Sequence, residues 1–391
     1  MKQEIFAFLL AFCVTPAFAE FKTKAKSAFL IDYDSGAEIV AKAADELMPP
    51  SSMLKLMTLT VLFDEIKSGR ISLNDRFPVG KNADYQNSVW APASKICLAA
   101  GQDISVRDLI LGLIVLSGGD ASVVVAEKLG ETEEKFTDLM TAKAREIGMP
   151  LSTFGNASGL PNDKNLMTSR ELATLAYHII ADYPDLYPMF ATKRFEFGEY
   201  KTDWCRDWGK THTVNYNKLL FIMSGADGLK TGHTDKGGYG MVASAKSNGR
   251  RLIGVINGFH GKGHDALAAE MKSLLMHGFN TTITKVFYRP GDDVTLVPTW
   301  YGREKNVMGT VDRNFAITMP KENGLSGVRV LARYTDPMPT PIHTGDVLGE
   351  VIAERDGNVI ARTALVAKSD VGRVRFLARV WRNIVVMITG R

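Results

Sequence analysis

The chain has 391 residues, 45% of them hydrophobic and 23% charged, with a formal net charge of +4. Such a length suits two or three domains with a sizeable core, and the apolar content excludes a disordered chain. So small a charge gives no reason to expect a nucleic-acid partner, but its distribution is uneven: residues 371–391 carry Arg373, Arg375, Arg379, Arg382 and Arg391 and no acid.

Residues 1–19 have the order of a secretory signal peptide: Lys2, an apolar run Ile5–Val14, then Ala17-Phe18-Ala19 before Glu20. Glu4 is an acid in a flank that is usually basic, and the run is too short to span a bilayer. Ala28–Ile31 and Ala37–Ala41 flank Asp32-Tyr33-Asp34-Ser35-Gly36 and predict a hairpin. Pro49-Pro50-Ser51-Ser52 then opens a helix from Met53 to about Lys67, stopped at Gly69. Further helices are predicted over Ile104–Leu116, Ala121–Leu129 and Ser169–Ile180, the last with a capping arrangement of Thr168 and Glu171.

Strands return at Gly228–His233, Tyr239–Lys246 and Arg251–Gly258, the last two joined by Ser247-Asn248-Gly249. Helices on an antiparallel sheet built from both chain ends imply an α+β domain over 20–288. A boundary is expected near Arg289-Pro290-Gly291, followed by a small all-β domain over 291–366. Of the three cysteines, Cys13 leaves with the leader. Cys97 and Cys205 resemble neither a metal knot nor a disulfide framework and are expected as two buried thiols, with pairing open in an oxidising compartment. His260 and His264 are four apart, as helical metal ligands would be, but Gly258, Gly261 and Gly263 argue against a helix. No metal site is expected.

Ser52-Met53-Leu54-Lys55 is the only S-x-x-K in the chain. That spacing puts both side chains on one helical face. The segment Leu54–Phe63 is apolar nearly all round, so the helix should be buried and Lys55 poorly solvated. A neutral amine beside a hydroxyl is a general base for a serine nucleophile. Ser52 at a helix start also has backbone N–H groups suited to a developing oxyanion. Lys230-Thr231-Gly232 falls on a predicted strand, where a cation can hold a carboxylate and a glycine lets a substrate approach. A second match, Lys67-Ser68-Gly69, sits where a helix ends and reads as a C-cap.

Pro50–Thr58, Lys230-Thr231-Gly232-His233-Thr234 and Asn156-Ala157-Ser158-Gly159-Leu160-Pro161 together resemble the low-molecular-mass penicillin-binding proteins, the serine D-alanyl-D-alanine carboxypeptidases of peptidase family S11. The resemblance runs over nearly the whole mature chain and implies a penicillin-binding/β-lactamase-like transpeptidase fold. It implies that Ser52 forms an acyl-enzyme and Lys55 accepts its proton. Ser117 assists proton transfer to the leaving group, and Lys230 with Thr231 holds the terminal carboxylate. The backbone N–H groups of Ser52 and His233 form the oxyanion hole. The implied substrates are peptidoglycan pentapeptide stems, with β-lactams as covalent inhibitors and no cofactor.

Ser117-Gly118-Gly119 departs from that family, which has Asn at the position of Gly119, where the resemblance implies a side-chain amide that orients the lysine and contacts the substrate peptide. Loss of one preorganised contact of this kind costs on the order of 10²–10³ in rate. A weakly active or inactive wall-binding, cell-shape protein is therefore an alternative. A serine β-lactamase is another, although no E-x-x-x-N segment of the class A kind follows Gly159 in the 20–288 domain, and the β domain with its tail is surplus to that function. In the tail, Leu377, Val380, Trp381, Ile384, Val385 and Ile388 fall on one helical face and Arg375, Arg379 and Arg382 on the other. A basic amphipathic helix of this kind lies in a membrane interface. The resemblance implies peripheral attachment to the periplasmic face of the inner membrane.

Overall fold

The computed structural model describes residues 18–374 apart from 91–92, 236 and 323. Most of the expected leader, and the basic tail beyond Val374, lie outside the described residues. The chain divides into two compact units, Glu20–Asn280 and the segment from Thr281 onward.

The first unit opens with β1 (Ser27–Asp32) and β2 (Glu38–Lys42), followed by a 3-10 turn, Ser51–Leu54, that runs into α1 (Lys55–Lys67). A short ribbon of β3 (Arg76–Pro78) and β4 (Asp103–Ser105) precedes α2 (Val106–Val115), α3 (Gly119–Gly130) and α4 (Glu133–Glu146). Then come α5 (Ser169–Asp182), α6 (Asp203–Thr211), α7 (Leu219–Ile222), β5 (Ala226–Thr234), β6 (Gly238–Ser247), β7 (Arg250–Phe259) and α8 (Gly263–Thr281).

The five strands order as β2-β1-β7-β6-β5, every pair antiparallel, so that β1 against β7 joins the two ends of the unit. The sheet is apolar on both faces because its side chains alternate. Phe29, Val242, Ile253 and Val255 pack into the core of the helical layer. Leu30, Met241, Leu252 and Ile256 pack on the other face, against Leu267, Met271 and Leu274 of α8. α1 runs through the helical layer and is buried without a break from Lys55 to Phe63, as a helix apolar all round must be. The predicted cap of α5 is present, with Glu171 N–H donating to Thr168 Oγ1 at 3.0 Å. The Glu171 carboxylate does not reach back; it accepts from Leu151 N–H and Ser152 Oγ at 2.7 and 2.5 Å.

Two expectations need correction here. Cys97 and Cys205 are not free thiols but a disulfide, with Cα atoms 5.6 Å apart. The loop after Trp90 folds back on α6, a long-range approach that spacing does not encode. The boundary also falls earlier than Arg289-Pro290-Gly291. β8 (Thr282–Tyr288) pairs with β11 (Phe315–Pro320) of the second unit, and Arg289–Asp292 is a turn within it, closed by Asp292 N–H on Arg289 O at 3.0 Å.

The remaining strands are β9 (Thr295–Trp300), β10 (Asn306–Val311), β12 (Arg329–Tyr334), β13 (Met338–Pro339), β14 (Val347–Arg355) and β15 (Asn358–Ala367). They form one sheet in the order β12-β14-β15-β10-β9-β13 around Val297, Phe315, Leu348 and Leu365. The unit is all-β, as expected. Val371 and Arg373 form bridges with Ile342 and Gly302, so the basic segment does not begin as a helix. Among the described residues, no helix is long and apolar enough to cross a membrane.

Candidate active site

Ser52 lies on the 3-10 turn and Lys55 is the first residue of α1. With three residues per turn, side chains at i and i+3 eclipse. Lys55 Nζ accordingly sits 2.8 Å from Ser52 Oγ, and the lysine is 2% exposed. Burial lowers the Lys55 amine to about 7, against the pull of the Asp120 carboxylate. The amine has a second fixed partner in the carbonyl of Ser158.

The segment around Ser158 is built against the nucleophile. Thr58 Oγ1 of α1 donates to Ala157 O at 2.8 Å. Gly159 has a φ of +73°, and a Cβ there would stand 2.1 Å from Ser51 O and 3.2 Å from Ser52 N. Only glycine allows both the conformation and the approach. The sequence marked this stretch by resemblance and gave no role to its carbonyls.

Ser117 follows α2 with a φ of +56°, and Ser51 beside the nucleophile has +49°. Each such non-glycine residue costs about 1–3 kcal/mol, and both stand at the site. Lys230 Nζ donates to Ser117 Oγ and to Thr231 O, both at 2.9 Å. Lys230 is 1% exposed, and burial together with Lys55 holds its ammonium well below the ordinary lysine range. β5 is an edge strand and lies against the 3-10 turn, where a Cβ on Gly232 would be 2.8 Å from Pro50 O and 3.1 Å from Met53 N. The His233 ring stacks on Tyr239 at 4.0 Å.

A cleft of about 260 Å³ is lined by Ser52, Lys55, Ser117, Gly119, Thr231, Gly232 and His233. Lys230 belongs behind this wall: its amine reaches the cleft through Ser117. Ser94, Tyr216 and His264 also line the cleft and were missed as site residues. His264, weighed above as a metal ligand, stands at the start of α8 between the rings of Tyr216 and Tyr239 at 5.2 and 5.3 Å, whereas His260 precedes the helix. Asp120 was also missed. Its buried carboxylate accepts from the N–H groups of Ile96, Cys97 and Leu98 at 2.9, 2.8 and 3.1 Å, holding the loop that carries Ser94. No spacing pattern signals that role.

Such a site can activate a serine hydroxyl for attack on a peptide carbonyl, with the β5 edge open to an extended peptide. Comparison with known proteins gives the same direction. Residues 14–260 match the family described as D-alanyl-D-alanine carboxypeptidase, and residues 284–373 match the C-terminal domain of penicillin-binding protein 5. The chain is 32% identical to D-alanyl-D-alanine carboxypeptidase DacA of Haemophilus influenzae, over 97% of this chain and 93% of that one. It is 31% identical to D-alanyl-D-alanine carboxypeptidase DacC of Escherichia coli, over 96% and 92%. Among solved structures, penicillin binding protein 5 from Haemophilus influenzae superposes with a TM-score of 0.80 at 30% identity, covering 91% of this chain and all of that one. The chain therefore belongs to the peptidase S11 family of D-alanyl-D-alanine carboxypeptidases, which are serine hydrolases.

Proposed function

We propose that this protein removes the terminal D-alanine from peptidoglycan pentapeptide stems through an acyl-enzyme on Ser52, and that β-lactams acylate the same hydroxyl. The observation that carries this reading is the pairing of Ser52 with a buried Lys55 across one cleft from Ser117 and Lys230.

The steps follow from the contacts. Neutral Lys55 takes the Ser52 proton as Oγ attacks the carbonyl carbon of the D-Ala-D-Ala bond. The backbone N–H groups of Ser52 and His233 receive the oxyanion. The C–N bond breaks as Ser117, polarised by Lys230, passes its proton to the leaving amine; the proton that Lys55 took from Ser52 restores the Ser117 hydroxyl, so D-alanine departs and Lys55 is neutral again. Thr231 at the cleft wall holds the D-alanine carboxylate, backed by Lys230, whose amine donates to Ser117 Oγ and Thr231 O. Water, deprotonated by Lys55, then cleaves the ester and regenerates the hydroxyl. No Asp or Glu is among the described residues lining the cleft, so fast hydrolysis of a penicillin adduct by a placed carboxylate is not expected.

The disulfide supports a site of action in an oxidising compartment, which fits a leader-directed periplasmic enzyme. Attachment to the membrane surface through residues 371–391 belongs to the same proposal, resting on the charge and spacing of that segment. Incubation of the mature protein with a fluorescent penicillin tests the chemistry. One label on Ser52 that persists for many minutes is expected; label elsewhere, or release within seconds, would reject the acyl-enzyme carboxypeptidase.

A further inference from the structure

At position 119 the glycine is required by what stands in front of it. Its φ is ordinary for any residue, but a Cβ there would lie 2.5 Å from Trp90 Cζ3, 3.2 Å from Trp90 Cε3 and 3.3 Å from Ser94 O. The indole occupies the volume into which a side chain at 119 would project.

Trp90 is not free to swing away. It is 3% exposed, its Nε1 donates to Asn82 O at 2.9 Å, and its carbonyl accepts from Lys95 Nζ at 2.7 Å. The following loop is fastened at several points. Ser94 O accepts from Gly119 N–H at 2.8 Å, and Asp120 holds the N–H groups of Ile96, Cys97 and Leu98. The Cys97–Cys205 disulfide ties it to α6, and Lys95 Nζ lies 5.9 Å from the rings of Trp204 and Trp208 on the same helix. Ser94 is thereby fixed in the cleft wall beside Ser117 and Gly119. A loop whose backbone is held by so many contacts presents the Ser94 side chain to the cleft from a fixed position, the condition for a useful substrate contact.

We propose that Trp90 and Ser94 together replace the amide side chain missing at position 119: Trp90 fills its volume, and the Ser94 hydroxyl makes its hydrogen bond to the backbone amide on the acyl side of the substrate. Ser94 is thus a substrate-positioning residue, and Trp90 with Gly119 forms a pair that can change only together. The proposal rests on the carboxypeptidase reading, since the ligand it names is that enzyme's peptide.

The test is a set of variants read by kcat and KM for D-alanine release and by the rate of acylation with benzylpenicillin, whose side-chain amide offers the same contact. Ser94→Ala should lower kcat/KM and acylation about tenfold with an unchanged melting temperature, and Ser94→Thr should restore most of it. Gly119→Asn and Gly119→Ala should each lose roughly 10²-fold by displacing the wall. Trp90→Ala combined with Gly119→Asn should recover most of that loss, and in this background Ser94→Ala should cost less than about twofold, because the amide has returned. Wild-type rates in Ser94→Ala, or in Gly119→Asn alone, would overturn the proposal. So would an undiminished tenfold loss from Ser94→Ala beside the restored Asn. If the wild-type protein releases no D-alanine, the carboxypeptidase reading fails on its own account. The penicillin arm then still decides whether Ser94 and the pair behave as stated.

Discussion

Lys55 Nζ and Ser158 O face each other behind the nucleophile, so the amine that activates Ser52 is held from two sides, by the hydroxyl and by a main-chain carbonyl. The carbonyl belongs to a loop that bonds α1 a second time at Thr58. The base is therefore positioned by the fold of residues 156–161 as much as by its own helix.

With the Lys55 amine lowered to about 7 by burial, its neutral, proton-accepting form grows as pH rises. Acylation by penicillin should fall about tenfold per unit below pH 7 and level off above it. Lys55→Arg locks the charge on and should remove roughly 10²–10⁴ of the acylation rate above pH 7, leaving a residual rate without that pH dependence. A stopped-flow pH series on both proteins checks this; a rate that rises as the medium is acidified contradicts it.

Gly159→Ala should damage the nucleophile without touching it. The added methyl group would meet Ser51 O at 2.1 Å, and the φ of +73° would have to relax as well. A displacement on the order of 1 Å costs about 10² in rate. Acylation kinetics should show that loss while near-ultraviolet circular dichroism remains that of a folded protein.

Asp120→Asn trades a carboxylate that accepts three loop N–H groups for an amide with donors of its own. Breaking such a buried, charge-assisted cluster costs about 3–5 kcal/mol. In a domain of this size that lowers the melting temperature by about 6–20 °C. Differential scanning calorimetry of the variant measures it, and a shift under 2 °C would show that the loop is held otherwise.

The Cys97–Cys205 bond spans 108 positions. Closing a loop of that order stabilises the fold by about 2–4 kcal/mol in typical cases. The denatured mature chain should titrate no thiol before reduction and two after it. Cys205→Ser should melt several degrees lower and retain the ability to bind penicillin.

The two motifs on regular elements were legible because the chemistry requires them one turn apart or on one strand: Ser52 with Lys55, and Lys230 with Thr231 and Gly232. Alternation and turn residues likewise placed β5 to β7 within two residues of their observed ends. What stayed hidden lies in loops that meet across the fold. Trp90 covers Gly119, Cys97 bonds Cys205, Ser94 enters the cleft and Asp120 anchors a chain segment two dozen residues earlier, none with a local periodicity to betray it. Gly119 read in isolation as the loss of a side chain. Its structural meaning is a gain of room for an indole. β8 was assigned to the wrong unit because its partner, β11, lies beyond a turn that looked like a linker.

The most direct measurement is D-alanine release from a peptide ending in D-Ala-D-Ala by the mature protein, with Ser52→Ala alongside it. Steady release by the unaltered protein and none by the variant are predicted. Equal release by both, or none by either under conditions where penicillin still labels Ser52, would contradict the account.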